Sequence, residues 1–393
     1  MSVAVDLPEL NADEATHGER LADRIRDEIT GRGGWISFAQ FMEMALYEPG
    51  LGYYSAGARK LGAGGDFVTA PEVAPVFSRC LAAQCAEILR SLGGGDVLEF
   101  GAGSGAMAAE MLAELARLGA LPDRYRILDV SADLRARQRD TLERSVPQLV
   151  GRVEWLDRLP DAPMTGVIVA NEVLDAMPVE RFVLRGGEVN ALGVTWHFGR
   201  FDWSEVRARA PLRELVAGVR RDLGVEWPEG YTSEINTGLA PWLASVARVL
   251  GRGAALFVDY GLPRRDYYAP ERCDGTLLCH FRHRFHADPF VRLGLQDITA
   301  WVDFTAVAEA ATAAGLDVAG YTTQAHFLIG NGIAGYVANV ADLDLVQRVN
   351  LSRQTMVLTL PGEMGERFKV IALARDCGAP LAGFAVRDLR HLL

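Results

Sequence analysis

Cysteine is scarce in this chain. Cys80, Cys85, Cys273, Cys279 and Cys377 make an odd five without a C-x-x-C pair, which argues against a disulfide framework and for a reducing cytoplasm. Long apolar runs are missing too: no stretch approaches the ~18 residues that a membrane span requires. There is no basic excess. Forty basic against 51 acidic side chains leave a net charge of −11, and phosphate binding needs a basic face, so no nucleic-acid partner is expected. The first nineteen residues carry Asp6, Glu9, Asp13 and Glu14 and no apolar core, unlike a secretory signal or an Arg-rich transit peptide. These absences predict a soluble, cytoplasmic protein with no membrane partner.

What is present is an ordinary globular composition, 49% apolar and 23% charged, with glycine abundant at 41 of 393 residues. At ~150 residues per domain the length suggests two or three folding units. The first seventy residues read as helical. Leu21, Ile25 and Ile29 recur every four residues before Gly31, and Ser37 with Gln40 has capping-box spacing for a second helix ending before Pro49. Pro49 to Gly65 is a long Gly/Tyr-rich loop of the kind that serves as a lid. From Pro71 short apolar runs alternate with helical stretches: Asp96–Phe100, Tyr125–Val130, Val153–Leu156, Gly166–Ala170 and Ala254–Asp259, with helices near 104–118, 132–146 and 238–250. Buried runs separated by helices predict an α/β fold, a parallel sheet covered on both faces. Residues 179–237 interrupt it with a hairpin turning at Gly186-Gly187 and a helical piece near 205–222. Residues 262–300 interrupt it again. A helix at 302–314, a strand at Leu316–Thr322 and a last strand near Phe368–Ala374 follow.

The strongest local signal is Asp96-Val-Leu-Glu99-Phe-Gly101-Ala102-Gly103-Ser-Gly105, a strand running through a glycine-rich turn into a helix. Glycines admit a ligand where a Cβ would clash, and the helix start offers free N–H groups. Gly101, Gly103 and Ala106 also fit a dinucleotide pattern, and a tight turn without ligand is the plain alternative. Glu99 favours S-adenosylmethionine (SAM), since its carboxylate lies where a methionine ammonium would bind. Asp129, closing the second strand, is placed for ribose hydroxyls, a role nicotinamide proteins share; it also reads as a helix-start acid. Asp157, past the third strand, reads as an adenine acceptor or a loop acid.

Asn171-Glu172-Val-Leu-Asp175 follows the fourth strand, at the edge where open α/β sheets bind ligands. Asn171 faces the cofactor in this reading, and Glu172 and Asp175 are the candidate catalytic acids, able to converge on a cationic or protic acceptor. The plain alternative is acids complementing a helix dipole. Thr69 is a candidate cofactor contact, although Thr69 and Glu72 also have capping-box spacing. Cys279, His280, His283 and His286 match no standard zinc spacing, and Arg282 and Arg284 would repel a cation, so no metal is assigned and the loop reads as substrate-facing. Glu363 and Glu366 precede the last strand and lie at the active edge if that strand is antiparallel.

Five ordered blocks, Gly65–Pro75, Leu98–Gly105, Ala170–Pro178, Gln296–Phe304 and Pro361–Arg367, together resemble the MidA family of SAM-dependent methyltransferases. The resemblance runs from about residue 20 to 375. It implies a class I methyltransferase (Rossmann-like) fold: a seven-stranded sheet with an antiparallel final strand, a helical N-terminal region and an inserted cap. On this basis 1–70 is the N-terminal region and lid, 71–178 and 238–393 the SAM-binding core, and 179–237 the cap, with a further substrate loop at 262–300. Mitochondrial members are assembly factors for respiratory complex I that methylate an arginine of one subunit. Carried over, this implies cofactor binding at Gly101, Gly103, Gly105 and Asp129, and an acceptor site near Glu172 and Asp175.

The expected function is therefore methyl transfer from SAM to a protein side chain, with arginine leading. The rivals are a small-molecule O- or N-methyltransferase, an assembly factor that binds SAM without turnover, and a nicotinamide oxidoreductase. A homodimer is left open.

Overall fold

The computed structural model describes residues 7–56, 69–129, 131–338 and 344–393. The backbone divides into two compact units, one drawn from Met1–Phe67, Leu174–Leu239 and Pro263–Trp301, the other from Val68–Val173, Ala240–Leu262 and Val302–Leu393.

The second unit is built on seven core strands: β1 (Asp96–Phe100), β2 (Tyr125–Leu128), β3 (Val153–Leu156), β4 (Met164–Asn171), β5 (Leu250–Leu262), β6 (Asp317–Thr323) and β7 (Phe368–Arg375). They lie in the order β6-β7-β5-β4-β1-β2-β3. Strand β7 runs antiparallel to β5 and β6, whereas β2, β1, β4 and β5 pair in parallel. A short strand, Val302–Asp303, adds to the end of β5. This is the class I methyltransferase arrangement. Val97, Val167, Ile168, Val169, Leu256 and Phe257 are fully buried, as a sheet covered on both faces requires. The register aligns Phe100 with Leu128 and Ala170, and Leu128 with Leu156. The carboxyl ends of β1 to β4 are therefore flush, and the segments after them leave along one edge. Strand order reverses between β1 and β4, the place where such sheets open a ligand crevice. Phe368 of β7 pairs with Tyr260 near the end of β5, so the antiparallel last strand starts at that same edge.

The first unit combines the N-terminal helices Ala12–Gly31 and Phe38–Tyr47 with the two inserted segments. Leu21, Ile25 and Ile29 are buried, and the first helix carries a full capping box between Asn11 and Glu14. Ser37 caps the second helix by accepting from the Gln40 N–H, but the Gln40 side chain turns away to donate to Glu28. The reciprocal half of the expected box is absent. Strands Glu180–Arg185, Glu188–His197, Arg200–Arg207 and Thr232–Ile235 form an antiparallel sheet. Both of its tight turns use successive positive φ values, at Gly186-Gly187 and at Phe198-Gly199, the conformation that matches hairpin twist. Residues 205–207 are thus strand, and the helix starts at Ala210 instead of near 205. Residues 262–300 carry a three-stranded sheet, Leu278–Phe281, Arg284–His286 and Asp297–Thr299, where only a loop was expected.

Among the described residues no helix is long and apolar enough to cross a membrane. Residues 57–65 of the expected lid, and Gly65 to 68 of the first motif block, lie outside the described residues, as does Val130 at the expected end of β2.

Candidate active site

The turn after β1 takes positive φ at Gly101, Gly103 and Gly105, 63°, 53° and 84°. A Cβ on Gly101 would meet Val173 at 3.3 Å, and one on Gly105 would meet the Gln138 backbone at 3.0 Å. The loop therefore needs glycine for conformation and for closeness. It delivers the chain into the helix Ala106–Arg117, whose N-cap Gly105 supplies no side-chain cap, while the Ala106 N–H donates to the Ser104 hydroxyl at 3.3 Å. Ala102 is buried beneath the turn, its carbonyl accepting from the Gly105 N–H at 2.8 Å.

Glu99, on β1, is fully buried. The Tyr125 hydroxyl donates to its Oε2 at 2.7 Å, while Oε1 has no hydrogen-bond partner among the described residues. Burial pushes its carboxyl up to about 7; the Tyr125 bond opposes this and the Asp129 charge adds to it. A carboxylate kept half-satisfied in an apolar setting is costly unless a cation or donor joins it.

Asp129 is buried at the end of β2. Its Oδ1 accepts from the Ser131 N–H at 2.9 Å, and its Oδ2 from Gln138 Nε2 at 2.8 Å. Burial raises its carboxyl above the ordinary value, against the pull of those two donors and Arg135. Asp157 lies past β3 as expected, but its side chain is 89% exposed and pairs with Arg135. Arg135 also donates to the carbonyls of Asp129 at 2.7 Å and Leu156 at 2.8 Å, tying the ends of β2 and β3 together.

After β4, Asn171 is buried with Oδ1 unpartnered among the described residues, and its Nδ2 donates to Glu172 Oε1 at 2.9 Å. Glu172 holds φ at +53° and donates its N–H to the Val258 carbonyl. A left-handed glutamate is strained by about 1–3 kcal/mol and persists where its surroundings over-determine it. Asp175 falls in the first unit. It is buried there, its carbonyl accepting from the Ala300 N–H; burial, and after it the neighbouring Asp297, Tyr47 and Asp175, raise the Tyr54 hydroxyl well above its ordinary range.

Thr69 precedes the short helix Ala70–Val73 but makes no side-chain cap, so the capping box with Glu72, the alternative to a cofactor contact, is not formed. Glu72 instead accepts from the hydroxyl of Ser104 in the glycine loop. In the first unit, Cys279 pairs in register with His286, and burial lowers His280 to about 4. No group of three or more metal-binding side chains is assembled among the described residues. Glu366 sits beside β7, its carbonyl accepting from Lys369.

Sequence reasoning missed Gln138 and Arg135, which hold Asp129 and the strand ends. The signal for Gln138 was faint but present: in the helix Ala132–Ser145 it occupies a core-facing slot four residues before Leu142.

The residues present fit SAM. The loop is a cradle that side chains would fill, Glu99 Oε1 is a buried acceptor without a donor among the described residues, and Asp129 is an oriented carboxylate at the same edge.

A family model described as "Putative S-adenosyl-L-methionine-dependent methyltransferase" matches residues 80–322. A crystal structure of a Burkholderia thailandensis protein bound to S-adenosyl-homocysteine is 44% identical, covers 99% of this chain and 100% of that one, and has a TM-score of 0.94. The mitochondrial protein arginine methyltransferase NDUFAF7 of Danio rerio is 27% identical, matching 91% of this chain and 90% of its own. A Drosophila melanogaster homolog is 26% identical over 92% and 86%. These names overturn the cytoplasmic expectation, because the relatives are mitochondrial. Unpaired cysteines report a reducing compartment without saying which one. Matching of well over half its length, together with the 44% identical neighbour, places the chain in this family of SAM-dependent methyltransferases, the MidA-like group that its motif blocks resemble.

Proposed function

We propose that this chain methylates arginine side chains of a protein acceptor, with Glu172 holding the acceptor guanidinium. The observation that carries the reading is the left-handed backbone of Glu172 at the end of β4, its carboxylate fixed by Asn171. Strain kept at one carboxylate beside the cofactor edge is the mark of a group placed for chemistry. The relatives' names support arginine as the acceptor.

Bound SAM supplies a methyl carbon made electrophilic by its sulfonium. On the cofactor side, the backbone of Gly101, Ala102, Gly103 and Gly105 admits the ligand, Glu99 meets the methionine ammonium, Asp129 accepts from the ribose hydroxyls and Asn171 lines the edge. Asp157 and Thr69 are assigned peripheral contacts. Guanidinium carries its charge far above neutral pH, with pKa above ~12, so its nitrogens are poor nucleophiles. Glu172 accepts an N–H from the guanidinium and draws the positive charge toward itself, leaving electron density on the far nitrogen. As that nitrogen bonds the methyl carbon, the carbon–sulfur bond breaks and S-adenosylhomocysteine leaves; the methylated guanidinium then sheds one proton to Glu172, from the N–H that the carboxylate already holds.

The test is transfer of labelled methyl to arginine-containing peptides, with product amino-acid analysis. Methylarginine from the native chain, and at least a hundredfold less from Glu172→Gln at unchanged affinity for S-adenosylhomocysteine, is expected. Asp175→Asn is the companion variant. Label on lysine or on a small molecule alone, or an undiminished rate in Glu172→Gln, overturns the reading.

A further inference from the structure

Gln138 is the best-connected side chain at the cofactor edge that the function has not yet used. It is fully buried. Its Nε2 donates to Asp129 Oδ2 at 2.8 Å and to the Gly103 carbonyl at 3.2 Å, and its Oε1 accepts from Trp155 Nε1 at 3.1 Å. One amide thus engages the turn after β1, the acid after β2 and an indole on β3. Both N–H groups are committed, and a buried amide stays in a core only when so satisfied. The Gln138 backbone also closes on the loop from outside, 3.0 Å from where a Gly105 Cβ would stand.

We infer that Gln138 is a positioning residue for the cofactor: it fixes the rotation of the Asp129 carboxylate and locks that carboxylate to the glycine loop before the ligand arrives. With the Ser131 N–H on Oδ1 and Gln138 on Oδ2, the carboxylate cannot turn, and each oxygen keeps a lone pair for a hydroxyl. Preorganisation of this kind saves ordering cost on binding. The inference rests on the reading that Asp129 receives the ribose. It has a second consequence. Burial disfavours the ionised form of Asp129, whereas Gln138 and the Ser131 N–H donate to it and the Arg135 charge attracts it; Glu99 repels it only when itself ionised. Removing the amide lets the carboxyl hold its proton to higher pH, so the acid limb of ligand binding moves upward.

The experiment is calorimetric titration of the full chain with S-adenosylhomocysteine from pH 5 to 8, with thermal unfolding of the ligand-free protein alongside. Gln138→Met removes the donors. Gln138→Glu keeps the size and the acceptor for Trp155 but sets a carboxylate against Asp129, and serves if the first variant fails to fold. Both are expected to unfold cooperatively and to bind roughly ten- to thirtyfold more weakly at pH 7, with the acid limb shifted up. Trp155→Phe, which leaves the bonds to Asp129 and Gly103 intact, stays within about threefold of native. Asp129→Asn separates the two ideas. If it weakens binding while both Gln138 variants match native across the pH range, Gln138 is not a positioning residue. If Asp129→Asn itself binds like native, the ribose reading falls and the Gln138 role falls with it. An equal loss in Trp155→Phe also overturns the proposal, since that loss reflects packing alone.

Discussion

Replacing Glu99 by glutamine tests how the cofactor edge pays for its buried acid. The folded carboxyl sits at about 7 against an ordinary 4.5, so between those values the native state holds a proton that the unfolded chain has released. The sign follows: stability falls as pH rises through 4.5, and the loss is complete once pH passes about 7. At ~1.36 kcal/mol per pH unit the full penalty is about 3 kcal/mol, of which between about 2 and 3 kcal/mol develops from pH 5 to 8. Glutamine at this position cannot ionise. Its own packing cost, including an amide N–H that must find a partner near the unpartnered Oε1 position, is the same at every pH. The difference in unfolding free energy between Glu99→Gln and native should therefore shift in the variant's favour by between about 2 and 3 kcal/mol from pH 5 to pH 8. Urea unfolding at four pH values, with both proteins in the same buffers, measures it. Parallel curves across that range refute the argument, because burial would then not be holding the proton. The variant should also lose about tenfold in affinity for S-adenosylhomocysteine at pH 8, where the native carboxylate is charged.

Other outcomes follow from single residues. Glu172→Gly should relieve the left-handed strain and stabilise the ligand-free protein by about 1 kcal/mol in thermal unfolding while abolishing methyl transfer; a destabilised variant would contradict the strain. Gly105→Ala carries a Cβ into 3.0 Å contact with Gln138 at φ 84°, and should cost at least about 1–2 kcal/mol of stability, read from the unfolding midpoint, and weaken S-adenosylhomocysteine in titration. Asp157→Ala removes an exposed ion pair and should change stability by less than about 1 kcal/mol. A tenfold loss of ligand affinity in that variant would establish a cofactor contact, and unchanged affinity would remove Asp157 from the site.

The core sheet was legible because most of its strands are short, buried apolar runs followed by a helix-length segment; β3, only partly buried, reaches β4 through residues 157–163 without a helix. The glycine turn was legible because its three positive φ values demand glycine itself. In the first unit the two N-terminal helices and the hairpin at Gly186-Gly187 were legible, but the rest was not, for two reasons. Its strands are half-buried and their polar positions resemble helix surface, so residues 205–207, the end of the strand Arg200–Arg207, were read into the helix after it. Its sheet at 278–299 consists of three- and four-residue strands, below the length at which alternation can be seen. The site residues divide in the same way. Asp129 and Glu172 are found by counting from strand ends, but Gln138 and Arg135 act across turns of helix, and nothing local in the sequence distinguishes an arginine that binds two carbonyls from one facing water. At Glu72 the capping-box alternative fails: the spacing is present, but the partner is Ser104, thirty-two residues away.

The first unit is threaded from three stretches of chain, and this sets the order of events during synthesis. Phe38, Phe41 and Leu46 emerge early, but Ile298 and Ala300 of the same apolar cluster are made some 250 residues later. Val194 and Phe201 follow in between, but at about 5–20 residues per second the helices wait on the order of ten seconds to a minute before the cluster can be completed. Closing contacts of such sequence separation is slow even after release. Expression yield, and dependence on holding chaperones, should therefore be governed by the N-terminal helices, and an apolar-to-polar change there would alter the nascent chain before it altered the finished enzyme.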